Sequence, residues 1–135
     1  MAKSKRVTYF AANVDDKPGT AMKVLADLKA SNIALVGLWG YGMPDGKAKI
    51  YAVAKNPDKL RTKWTGAGIL AEEGTGFMVS GTDRTGVLVK TLEGIAAAGV
   101  NIKMMDAMAT GGLFASLIWV DPAQVENAAK ALGCK

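Results

Sequence analysis

Residues 81–102 read GTDRTGVLVKTLEGIAAAGVNI, and residues 15–35 read DDKPGTAMKVLADLKASNIAL. Asp16-Lys17-Pro18-Gly19 lies over Asp83-Arg84-Thr85-Gly86 at an offset of 67 residues. At that offset Phe10 meets Phe77, Leu25 meets Leu92, Leu28 meets Ile95, and Ile33 and Leu35 meet Val100 and Ile102. Asn56-Pro57 meets Asp121-Pro122 after a two-residue slip. The chain therefore states one plan twice.

Working outward from the two turns, each is preceded by a short strand candidate, Val7–Asn13 or Gly76–Ser80, and followed by a helix. In the first helix Ala21, Val24, Leu25 and Leu28 recur at i, i+3, i+4, i+7, and in the second Leu88, Thr91, Leu92 and Ile95 do so. Asp16 and Asp83 stand at N-cap-like positions, and Pro18 suits a first turn. Two strands follow in each half, residues 33–38 with 48–54 and 100–105 with 114–120, joined by the glycine-rich GLWGYGMPDG and AMATGG. Pro57 and Pro122 each open a second helix. The order β-α-β-β-α predicts an α+β fold of ferredoxin-like βαββαβ modules. Residues 67–72 can close the first module. Only Gly133, Cys134 and Lys135 follow the last helix, so the second module is expected to lack its final strand. The expected organisation is a basic tail (1–6), a first module (7–73) and a second (74–135).

Face alternation predicts that Val100, Ile102 and Met104 point one way, and that Ala34, Val36 and Leu38 form an open face in the first module. Residues 114–120 are apolar on both faces, with Phe114, Ile118 and Val120 alternating with Ala115, Leu117 and Trp119. A sheet with one wet face would alternate with polar residues, so a second sheet or subunit is expected to cover it, and a homodimer follows.

Composition narrows the chemistry. Half of the 135 residues are apolar and 21% are charged, the balance of an ordinary globular protein. The formal charge is +5, of which Lys3, Lys5 and Arg6 supply three charges, expected as a solvated tail and not a nucleic-acid surface. Histidine is absent and Cys134 is the one cysteine, which excludes an imidazole–thiolate zinc site and any Ser-His or Cys-His nucleophile pair. No apolar run reaches the length of a membrane span and no signal peptide is evident, so a cytoplasmic protein is expected. No cofactor is implied.

The two quoted stretches, in register and with this strand order, resemble the ACT-domain family of small βαββαβ regulatory modules. The chain resembles the free-standing tandem ACT proteins that carry no catalytic domain. The resemblance implies a ligand-sensing regulator of amino-acid metabolism, not an enzyme, whose site lies between a strand-to-helix turn and a neighbouring strand. Carried across by position, it nominates Asp16, Lys17, Pro18, Gly19 and Thr20 in the first copy. In the second it nominates Thr82, Asp83, Arg84, Thr85, Gly86 and Val87, with Asn101 where the family often has an effector-contacting asparagine. The first copy has Ala34 at that place, which predicts that the second turn is the preferred site.

Physical chemistry reaches these turns independently. A helix N-terminus presents unpaired N–H groups that stabilise a carboxylate, and Asp16, Asp83 or Asn101 offer acceptors to an ammonium group. An amino acid needs both. The rival readings are a structural or partner-binding module with a degenerate site, an RNA-binding module and a small isomerase. RNA recognition is poorly served, since KAKIYAVAK offers one tyrosine and LFASLIWVD lacks a basic-glycine start. Catalysis is poorly served because the carboxylates sit at turns and exposed helix positions.

Overall fold

The computed structural model describes residues 2–134. It contains strands β1 (Lys3–Asp15), β2 (Leu35–Gly42), β3 (Lys47–Ala54), β4 (Leu70–Thr82), β5 (Ile102–Thr110) and β6 (Leu113–Val120). The helices are α1 (Thr20–Ala30), α2 (Pro57–Gly66), α3 (Val89–Ala97) and α4 (Val125–Leu132), the last preceded by a 3₁₀ turn at Pro122–Gln124. The chain divides into two compact units, Thr8–Gly74 and Met1–Val7 with Thr75–Lys135.

The first unit has the strand order β2-β3-β1-β4. β3 pairs antiparallel with both β1 and β2. Phe10, Ala12, Ile50, Ala52 and Ala54 present one sheet face to Leu28 of α1 and to Leu60 and Trp64 of α2, forming a buried core. α2 starts where Pro57 fits the first turn and the Asn56 side chain accepts from Lys59 N–H.

The second unit repeats this order as β1-β4-β6-β5, with residues through Val7 supplying β1 and residues from Thr75 supplying β4. Phe77, Val79, Phe114, Ile118 and Val120 pack on Ile95 of α3 and on Ala128 and Ala129 of α4. The expected basic tail is thus corrected: residues 3–6 are strand, and they form the fourth strand of this unit. Ala2 joins the core of the unit, and Arg6 pairs bidentately with Glu126 of α4 at 2.8 and 3.1 Å. That partner lets a charged residue sit on the helix-facing side of the strand.

Two further expectations change. Residues 67–72 and 76–80, read as separate strands, belong largely to one continuous strand, β4. Neither Gly74 nor Gly76, which lie within it, has a positive φ. A Cβ at Gly74 would come within 2.7 Å of the Tyr9 hydroxyl, so this glycine makes room for a ring and does not turn the chain. Register shifts also interrupt β2 between Leu35 and Gly37 and β5 between Ile102 and Met104. One extra residue flips the alternation. Leu38 therefore pairs with the core residue Ala52, and Met104 pairs with Trp119 while Ile102 pairs with Val120. Neither predicted three-residue face survives.

Ion pairs tie these elements together and set an acid limit. A hydrogen bond from Arg6 holds the Glu126 carboxyl below its ordinary pKa, and hydrogen bonds from Arg61 and Lys47 do the same for Glu73 and Asp15. A carboxylate depressed in the folded state stabilises fully above its unfolded value, about 4, and loses that contribution as pH falls through the folded one. The thermal midpoint is accordingly expected to be flat from pH 7 to about 5 and to fall below about 4. Glu126→Gln should lower the plateau and shallow the acid limb in a calorimetric pH series.

Candidate functional site

The two repeated turns share one piece of backbone chemistry. Asp16 N–H donates to Gly46 O at 3.0 Å, and Asp83 N–H donates to Gly112 O at 2.9 Å. Each turn is thereby clipped to the tip of its own unit's β-hairpin. Neither carboxylate caps a helix, contrary to the sequence expectation. Gly19 is the N-cap of α1 and Leu88 that of α3, and neither helix receives a side-chain cap. Both turns close alike, Thr20 N–H on Lys17 O and Val87 N–H on Arg84 O. However, α3 begins at Val89, later than the repeat of Thr20 at Val87 would place it, which moves Asp83 farther from its first residue. Gly19 (φ 89°) and Gly86 (φ 74°) lie in the left-handed region, so the backbone alone accounts for both.

The first turn opens onto a groove of about 360 Å³ within the first unit, to which Asp15, Asp16, Lys17 and Thr20 contribute. Such a volume suits a small ligand. Its apolar walls are Val24 and Leu25 of α1 and Leu38 and Ile50 of the sheet. Two glycines of β2 widen it. A Cβ at Gly42 would collide with the Asp16 carboxylate, and one at Gly40 would crowd the Lys49 carbonyl at 3.0 Å. Gly42 therefore lets the Asp16 carboxylate lie against the strand.

The polar groups divide into occupied and available ones. Lys47 Nζ donates to Asp15 at 2.7 Å and Lys17 stands 3.7 Å from it, so Asp15 is neutralised in place. Asp16 makes no ion pair among the described residues. The first intrahelical bond of α1 runs from Lys23 N–H to Gly19 O, which leaves the Ala21 and Met22 amides ahead of the hydrogen-bond ladder. A carboxylate acceptor and a helix N-terminus thus border one apolar groove.

Of the residues nominated in the first copy, Asp16, Lys17 and Thr20 line this groove, while Pro18 and Gly19 shape the turn beside it. Sequence reasoning missed Leu38, Gly40 and Gly42 as groove residues. The signal available was the glycine alternation in β2. Trp39 and Tyr41 border the groove too, but their rings stack on Tyr51, at 5.4 and 6.2 Å between centroids. Tyr9 extends that aromatic cluster and donates to Glu72 at 2.6 Å; burial and this bond push its phenol well above the usual range.

The second turn lies on a different groove, about 460 Å³, within the second unit. Thr82, Arg84, Thr85 and Val87 line it together with Ser4, Lys90 and Thr91. Asp83, Gly86 and Asn101 are not among its lining residues, and Asp83 and Asn101 are exposed. The structure therefore does not gather the second-copy residues around Asn101.

Among the described residues no cluster of three His, Cys, Asp or Glu side chains is placed to hold a metal. No described helix is long and apolar enough to cross a membrane.

No protein-family model and no curated protein matches the sequence. The fold is similar to solved structures. Protein BT0572 from Bacteroides thetaiotaomicron is 19% identical with a TM-score of 0.82, over 96% of this chain and 88% of that one. The ligand-free regulatory subunit of aspartate kinase from Thermus thermophilus is 21% identical with a TM-score of 0.64, over 98% of this chain and 94% of that one. The allosteric aspartate kinase of Clostridium acetobutylicum is 16% identical with a TM-score of 0.59, and the match spans 97% of this chain but 32% of the kinase. At these identities the likeness is one of fold. The chain has an α+β, ACT-like βαββαβ fold, similar to that of aspartate kinase regulatory subunits.

Proposed function

We propose that the protein is a non-catalytic regulator that binds an amino acid or related small carboxylate in the first-unit groove. The observation that carries this reading is the placement of the Asp16 carboxylate and the uncapped start of α1 on one apolar groove. The Ala21 and Met22 amides would receive the ligand carboxylate, and Asp16 would receive its ammonium group. Val24, Leu25, Leu38 and Ile50 favour an apolar side chain. The likeness in fold to a regulatory subunit from Thermus thermophilus supports a sensing role, and an enzyme or transporter would be the regulated partner.

The same reading includes a homodimer. β2 ends the strand order of its unit, and Val36, Leu38 and Tyr41 are exposed on it. A second copy pairing there would cover these side chains and narrow the groove. Light scattering at micromolar concentration should give the dimer mass.

The binding test is a thermal-shift screen of the twenty amino acids, followed by calorimetry. Apolar amino acids should raise the midpoint. Asp16→Ala should weaken binding by about 1.5–3 kcal/mol through the lost charge-assisted bond, while Asp83→Ala leaves it unchanged. If no amino acid raises the midpoint, the partner-binding alternative replaces this one.

A further inference from the structure

The repeat places a second groove beside the second turn, and its chemistry is the reverse of the first. Ser4, Thr82, Arg84, Thr85, Lys90 and Thr91 supply its polar lining, without a carboxylate. The first groove has two carboxylates, Asp15 and Asp16. Among the described residues Arg6, Lys17, Lys47, Lys49, Arg61 and Lys63 stand in ion pairs, while other lysines, Lys103 among them, do not. Arg84 and Lys90 are in none among the described residues.

This difference selects a ligand class. An ammonium group in the second groove would meet two cations and no anionic acceptor. A dianion with several acceptor oxygens would meet a guanidinium, an ammonium and four hydroxyl donors. The first turn of α3 adds no acidic residue to oppose it. Ser4 reaches the groove because residues 3–7 run as a strand of this unit, so the site needs the N-terminal segment in place. At about 460 Å³, with Ala2, Val87 and Leu132 as apolar lining, the groove has room for more than a bare anion.

We propose that the second-unit groove binds a phosphorylated small molecule, so that the two units of the repeat take different ligand classes. Arg84 and Lys90 hold the phosphoryl group, the hydroxyls of Ser4, Thr82, Thr85 and Thr91 orient it, and the apolar residues face its carrier.

The test uses the full chain, with inorganic phosphate and pyrophosphate as probes and sodium chloride balancing ionic strength. Calorimetry should give saturable binding. Arg84→Ala with Lys90→Ala should weaken it at least about tenfold, as expected for lost charge-assisted bonds. Lys103→Ala, which removes an exposed cation elsewhere in the unit, should leave it unchanged, with circular dichroism checking that each variant is folded. Asp16→Ala should also retain it, so this proposal and the amino-acid reading fail on different variants. Absence of saturable binding at matched ionic strength would overturn the proposal. So would equal affinity in the wild type and the double variant, or an equal loss in Lys103→Ala, either of which reports general attraction to a basic surface.

Discussion

Deleting residues 2–6 is expected to destabilise the protein by about 3–5 kcal/mol, a large share of the total stability of a small domain. These residues resemble a disposable basic tail in sequence, but they are the fourth strand of the second unit. Their removal would strip the ladder partner from the Thr75–Thr82 half of β4 and leave an open edge. It would also release Glu126 from Arg6 and take Ala2 from the core. Urea unfolding checks this directly, and aggregation of the truncated chain would be its visible consequence. Arg6→Ala separates the causes, because it breaks the ion pair and keeps the strand. It should cost far less than the deletion. An unchanged midpoint after the deletion would return the segment to the status of a tail.

Phe10→Ala and Phe77→Ala should each cost about 3–5 kcal/mol, the usual range for emptying an aromatic site in a core. Both side chains are fully buried, at 0% exposure, and they hold equivalent places in the two units. Phe10 packs against the first core, with the Arg61 guanidinium 5.4 Å from its ring, and Phe77 packs against the second. The repeat thus predicts similar losses from two substitutions far apart in sequence. Chemical denaturation of both variants measures the comparison. A loss below about 1 kcal/mol for either would mean that its unit collapses around the gap or carries little of the stability.

Much of this fold was legible because helical periodicity and glycine-rich hairpins are local signals. Ala21, Val24, Leu25 and Leu28 mark α1, and Pro57 and Pro122 mark the second helices, without any knowledge of the partner strands. The misread parts depend on remote residues. Ser4 and Arg6 carry no apolar alternation, since Arg6 is satisfied by a glutamate 120 positions away. The need of the second module for a fourth strand was the signal, and the N-terminus was where to look. The role of Gly74, which makes room for the Tyr9 ring, is invisible in local sequence. The shifts near Val36 and Lys103 reverse the facing of later residues, which no count of alternation detects. At the site, Asp16 was legible from its proline-glycine turn. Leu38 and Gly42 became visible only once β2 stood beside α1, and Asn101 was nominated by position yet lies outside both grooves.

Backbone NMR during titration with apolar amino acids tests the central claim most directly, since it reports binding and place together. The predicted result is saturable shifts of the Asp16–Met22 and Leu38–Gly42 amides, which require much higher ligand concentration in Asp16→Ala. No saturable shift with any of the twenty amino acids, or shifts confined to residues outside the first-unit groove, would contradict the account.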